Sequence, residues 1–141
     1  MKHLLDTCVL SELVKATPEP NVVAWINAQV EDTLFVSAMT LAELLKSIAK
    51  LQDSHRKTEL TEWLNQIRSE MADRILPFGQ STADYWASMC ATAEKAGKTL
   101  SVFDSLIAST AIEHGLVIVT RNAKDFEAAP VMQINPWLNL A

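Results

Sequence analysis

Met1-Lys2-His3-Leu4-Leu5-Asp6-Thr7 opens the chain, and its reading decides the rest. The apolar pair Leu4-Leu5 is the tail of a short strand, and Asp6 stands where that strand ends. Acidic positions recur in similar settings. Glu43 follows the apolar run Leu34-Phe35-Val36-Ser37, Asp104 opens a helical stretch, and Asp125 follows Val117-Ile118-Val119-Thr120. Loops that follow parallel strands lie at one edge of an α/β sheet and form its ligand crevice. Four carboxylates brought to one edge repel each other unless a cation joins them, and oxygen-rich sites suit Mg2+ or Mn2+. The pattern implies a metal-dependent enzyme acting on phosphate esters.

The parallel sheet is itself an inference from alternation. Short apolar runs alternate with longer helical patterns, which argues for strand–helix–strand units with helices on both faces of the sheet. Strands are expected at His3–Leu5, Leu34–Ser37, Arg74–Leu76, Leu116–Thr120 and Val131–Ile134. Helices are expected over about Val9–Lys15, from Pro20 through Val30, from Thr40 to Leu51, from Ser54 to Met71, from Ser81 to Ala96 and from Asp104 to His114, with a short turn near Lys124–Glu127. Pro20, Gly97 and Gly115 fall where helices start or stop. Leu60, Leu64, Ile67 and Met71 form one helical stripe. With only three glycines, no repeat and no linker, residues 1–141 are expected to form one domain.

Composition narrows the function classes. No apolar run approaches the ~20 residues that cross a bilayer, and the N-terminus does not read as a signal peptide, so a cytoplasmic protein is expected. Cys8 and Cys90 form no C-x-x-C pair, which disfavours a disulfide or zinc site. The histidines His3, His55 and His114 share no spacing, and surface or helix-end roles are expected for them. A net charge of −5 excludes nucleic-acid binding by bulk electrostatics. If RNA or DNA is the substrate, the metal and local cations must offset repulsion. Lys46, Lys50, Arg56, Lys57, Arg121 and Lys124 are available, although solvated helix faces explain each one singly. Lys46 and Arg121 are the candidates for substrate binding.

Each acidic residue has a purely structural reading as well. Asp6 and Asp104 can cap the helices that follow them. Thr40-x-x-Glu43 matches a capping box, in which the glutamate reaches back to the cap residue's N–H. Asn122 and Asp125 both follow the fourth strand, and either can face the cleft. Their joint delivery to one edge is what favours a site. Asp6 and Asp104 are the first choices for metal ligands, with Glu43 and Asp125 completing the set.

The runs Leu4-Leu5-Asp6-Thr7-Cys8-Val9-Leu10-Ser11-Glu12-Leu13, Val36-Ser37-x-x-Thr40-x-x-Glu43-Leu44, Asp104-Ser105-Leu106-Ile107-Ala108-Ser109-Thr110-Ala111 and Thr120-Arg121-Asn122-x-x-Asp125-Phe126 occur in that order, with Asn135-Pro136-Trp137 near the end. In this the chain resembles the PIN-domain nucleases, specifically the VapC-type toxins of toxin–antitoxin pairs. The resemblance implies a three-layer α/β/α sandwich on a mainly parallel sheet. It further implies an endoribonuclease that uses Mg2+ or Mn2+ to cut structured RNA, such as a transfer or ribosomal RNA. Asp6, Glu43 and Asp104 match the family's acidic set, the fourth role is shared between Asn122 and Asp125, and Thr7 and Thr120 support the site. Also implied are a homodimer and a cognate VapB-type antitoxin, for which the apolar stripes at Val22–Val30 and Leu44–Leu51 offer a groove unless the core consumes them. One departure is Cys8, where the family usually has asparagine; a thiol is expected to orient the neighbouring ligands poorly. That departure and the acidic charge leave open a binding module that no longer cuts. A phosphoaspartyl phosphatase is disfavoured, because Cys8 takes the second position of its Asp-x-Asp pair.

Overall fold

The computed structural model describes residues 1–138, so the last three residues of the expected 1–141 domain lie outside it. Five strands form one sheet: β1 (His3–Leu5), β2 (Leu34–Ser37), β3 (Ile75–Leu76), β4 (Val117–Val119) and β5 (Gln133–Ile134). Their order is β3-β2-β1-β4-β5, and every pairing is parallel. The first strand is therefore the central one. His3 and Leu4 pair with Leu34 and Phe35 on one side, and with Val117 and Ile118 on the other. The chain leaves β1 for β2 in one direction and reaches β4 in the other. The crevice beyond the end of β1 is thus the topological switch point of the sheet.

The helices are α1 (Thr7–Leu13), α2 (Pro20–Asn27), α3 (Ala38–Ala49), α4 (His55–Glu70), α5 (Gln80–Lys95) and α6 (Val102–His114). Alternation along the strands divides the core in two. Leu5, Leu34, Val36 and Val119 pack with Val9, Leu10, Val22, Leu44 and Leu64 from α1 to α4. Leu4 and Ile118 point the other way, against Met89 of α5 and Ile107, Ala108 and Ala111 of α6. The three layers expected from the alternation are present. Burying a side chain such as Leu4 completely stabilises the fold by roughly 1.5–3 kcal/mol. The four tryptophans pack against these two clusters from half-buried positions, and Trp86 Nε1 donates to Ser105 Oγ at 2.9 Å, tying α5 to α6.

Boundaries differ from expectation where a cap wins over a pattern. α1 begins at Thr7 rather than Val9, because Asp6 accepts from the Thr7 N–H at 2.8 Å. It ends at Leu13 rather than Lys15. α3 begins at Ala38, capped by Ser37, whose hydroxyl accepts from Met39 N at 3.0 Å; Thr40 is therefore inside the helix, and the Thr40–Glu43 capping box is not formed. α6 begins two residues before Asp104, with Ser101 as its cap. It ends at Gly115, whose φ of 64° lets Leu116 N reach back to Ala111 O at 2.9 Å.

Arg74, expected in the third strand, instead ends a 3-10 turn, Ala72–Arg74. Its guanidinium is buried and donates to Glu31 O and Leu34 O, both at 2.8 Å, and to Glu70 O at 3.1 Å. Three carbonyls thereby lock the end of α4 to the entry of β2. The last strand shrinks to Gln133–Ile134, and the turn after β4 is a 3-10 helix at Ala123–Phe126.

His3 corrects the expectation of a surface role. It lies in β1 only 5% exposed, its ring edge-on to Trp25 at 4.9 Å, and Nδ1 has no hydrogen-bond partner. Burial, helped by the nearby N-terminal ammonium, pushes its pKa below the ordinary 6.5. The unfolded chain therefore binds the proton first, so this contribution to stability is complete above pH 6.5 and is lost as pH falls toward the depressed value. We expect His3→Phe to flatten the fall in melting temperature below pH 6.5, measured by circular dichroism across a pH series.

Candidate active site

The end of β1, helix α3, the first turn of α6 and the 3-10 turn after β4 deliver the acidic side chains. Asp6 ends β1 and extends the ladder, its N–H donating to Val119 O at 2.9 Å. Although 7% exposed, its carboxylate is well supplied. Oδ1 accepts from Thr7 N, and Oδ2 accepts from the buried Thr120 hydroxyl, each at 2.8 Å. Asp6 is therefore both a helix cap and a member of the cluster. Thr120 in turn accepts from Asn122 N at 3.0 Å, which fixes the turn after β4 that carries Asp125.

Glu43 stands on the sixth residue of α3, so its carboxylate cannot reach a helix cap and faces the end of β1 instead. The Thr7 hydroxyl donates to Glu43 Oε1 at 2.6 Å, and the buried Thr40 hydroxyl lies 3.4 Å from Thr7 Oγ1. Asp104, in the first turn of α6, accepts from the Ser101 hydroxyl at 2.6 Å while its own N–H donates back to Ser101 Oγ at 3.2 Å. Ser101 and Thr40 are additions to the site residues expected from the sequence. The spacing Ser101-x-x-Asp104 is a capping signature that marks Ser101, whereas Thr40 is visible only through the fold.

The carboxylates sense one another. Burial raises the pKa of Glu43, and the charges of Asp6 and Asp104 push it the same way against the Thr7 hydrogen bond and Lys46. Burial likewise raises Asp104, with Asp125 and Asp6 adding to the push and Ser101 opposing it. So Asp6, Glu43 and Asp104 lie within reach of one another's charge, and Asp125 acts on Asp104. Among the described residues, no three histidine, cysteine, aspartate or glutamate side chains are already gathered closely enough to hold a metal ion. The donor set nonetheless fits a hard cation. It is all oxygen, two of its members carry charge that burial and repulsion disfavour, and Mg2+ needs only one or two direct carboxylates because it keeps several waters.

Cys8 does more than expected. Its thiol lies 3.7 Å from Asp6 Oδ2 as a donor, 3.7 Å from Thr120 Oγ1, and 3.5 Å from the Arg121 N–H as an acceptor. Burial raises its pKa, which keeps the thiol protonated and able to donate. Sulfur thus joins the loops after β1 and β4. Of the two candidate substrate cations, Lys46 lies close enough to Glu43 to favour its charged form, whereas the Arg121 guanidinium sits 5.5 Å from the centre of the Trp137 ring.

Residues 3–131 match the PIN domain family. The chain is 41% identical to the VapC ribonuclease Y4jK of Sinorhizobium fredii over 135 residues, covering 95% of this chain and 96% of the relative. It is 39% identical to the toxin FitB of Neisseria gonorrhoeae, over 95% of this chain and 97% of that one. The structure of FitAB bound to the IR36 DNA fragment superposes with a TM-score of 0.92 at 36% identity, over 98% of this chain and 97% of that chain.

The Thr120 hydroxyl connects Asp6 to the Asn122 turn, so its removal tests that link. Thr120→Val keeps the shape but leaves a buried carboxylate oxygen and a backbone N–H without this partner. The expected cost is about 1–3 kcal/mol in urea unfolding.

Proposed function

This chain belongs to the PIN-domain family, and on that footing we propose that it is the toxin of a toxin–antitoxin pair, an endoribonuclease that hydrolyses phosphodiester bonds in structured RNA. The reading is supported by the mutual electrostatic influence of Asp6, Glu43 and Asp104 near the sheet's switch point, with Asp125 acting on Asp104, in a chain aligned along nearly its whole length with a VapC ribonuclease and a toxin. A transfer or ribosomal RNA is the proposed substrate; another relative, at 26% identity, is the tRNA(fMet)-specific endonuclease VapC of Shigella flexneri.

Asp6 and Asp104 are the proposed direct ligands of Mg2+ or Mn2+, with Glu43 and Asp125 completing the site directly or through water and Asn122 as the alternative fourth donor. When bound, such an ion stabilises charge developing on the phosphoryl oxygens and acidifies the attacking water. The protein's own part is positioning. Thr7 holds Glu43, Ser101 holds Asp104, and Thr120 with Cys8 fixes Asp6, so each carboxylate keeps its direction before substrate arrives. Lys46 relieves part of the repulsion between this acidic site and an RNA phosphate.

The proposed partner is a cognate antitoxin, bound to a homodimer of this chain in the cytoplasm. Val22 and Leu44 belong to the core, which leaves Val30, Leu45 and Leu51 as the large exposed apolar side chains of the two stripes available to it. No helix of the described residues is long and apolar enough to cross a membrane.

Asp6→Asn and Asp104→Asn are each expected to abolish divalent-metal-dependent cleavage of total RNA, a loss larger than the roughly 10–100-fold that follows removal of a ligand's outer partner. Circular dichroism should show the fold retained, and full activity in either variant refutes the assignment. The raised pKa values of Glu43 and Asp104 add a pH signature. Protons compete with the metal for both groups, so affinity in calorimetric titration should fall as pH drops, starting at a higher pH than ordinary carboxylates dictate.

A further inference from the structure

Beside the acidic cluster lies a cavity of about 470 Å³ lined by Ala42, Glu43, Lys46, Ser47 and Lys50 of α3 and by Phe103 of α6. Its size falls within the roughly 300–1,000 Å³ of small-ligand sites. Lys46 and Lys50 are one helical turn apart and exposed, and among the described residues neither ammonium makes an ion pair. Phe103 is half-buried, packed on one side against the α5–α6 core and lining the cavity with the rest. It is the residue before Asp104, and Glu43 forms part of the wall, so the cavity and the acidic cluster share a border.

Solvated lysines on a helix face need no aromatic neighbour and no cavity. Two unpaired cations beside an aromatic ring, continuous with a phosphodiesterase site, match the two halves of a nucleotide. Resting on the ribonuclease reading above, we propose that this cavity seats the nucleotide next to the scissile phosphate, its base stacked on Phe103 and its phosphate held between Lys46 and Lys50. Glu43 in the wall works against an acidic peptide, whereas the stacking surface favours a base.

The test is binding of a fluorescein-labelled single-stranded oligoribonucleotide of mixed sequence, followed by anisotropy in chelator so that nothing is cut, across a salt series. Lys46→Ala with Lys50→Ala should lower the slope of log affinity against log salt by about 0.7, the single-strand value for the one phosphate that no longer meets a lysine. The charge-matched pair Lys2→Ala with Arg68→Ala, the first just ahead of β1 and the second in the last turn of α4, should change it much less. Phe103→Leu should weaken binding about tenfold or more with the slope unchanged, and Phe103→Tyr should restore it. The lysine positions are exposed, so their arm reads out even if Phe103→Leu folds poorly. A slope unaltered by the lysine pair, or altered equally by the control pair, overturns the proposal, as does full affinity in folded Phe103→Leu. Polyglutamate binding as tightly as RNA, with the same dependence on Lys46 and Lys50, makes the cavity a peptide site and overturns it too. If wild-type protein cuts RNA with Mg2+ while these variants bind normally, only the subsite fails; if wild type neither binds nor cuts, the ribonuclease reading fails first.

Discussion

The fold and the site depend on one carboxylate. Asp6 ends the central strand, and both its oxygens are held, by the first N–H of α1 and by the hydroxyl that follows β4. A carboxylate this deeply buried is costly unless such bonds supply what water no longer does. The same bonds fix the angle at which α1 leaves the sheet and the path of the turn toward Asp125. Through Thr7, one residue on, the arrangement extends to Glu43 on α3. Caps, turns and candidate ligands are here the same atoms.

That economy has a cost in stability. Glu43 and Asp104 titrate above their usual range because burial and like charge disfavour their ionised forms. For groups raised in this way, stability present at low pH is lost as pH rises through the raised value, so in the absence of a cation these two side chains oppose folding near neutrality. A divalent ion held by them would reverse the sign. Thr7, Ser101 and Lys46 offset the opposition only in part. A fold that places repelling groups at its switch point is consistent with selection for chemistry over stability.

Much of this is legible in the sequence because it is written locally. The apolar runs of β1, β2 and β4, the proline at the start of α2 and the glycine closing α6 each act over a few residues, and all fall within a residue or two of their expected places. Expectation and structure part where two local signals compete. Thr40 and Glu43 have the spacing of a capping box, yet Ser37 sits three residues earlier and takes the cap. Other features have no local signature. Arg74 is buried only because three carbonyls from distant segments surround it, and His3 only because the first strand is the central one. Cys8 reads in isolation as a weakened ligand holder; its role as a bridge depends on Thr120 and Arg121, more than a hundred residues away.

The strand order has a further consequence for how the protein is made. β1 leaves a ribosome more than a hundred residues ahead of one of its two neighbours, β4, which begins at Val117. Until then Asp6 lacks both Thr120 and the turn bearing Asp125, and the sheet is missing one flank. Pairings this distant along the chain form late. A nascent chain therefore lacks the full set of neighbouring carboxylates until β4 has emerged, and translation cut short before β4 yields a fragment in which Asp6 has no Thr120 hydroxyl to hold it.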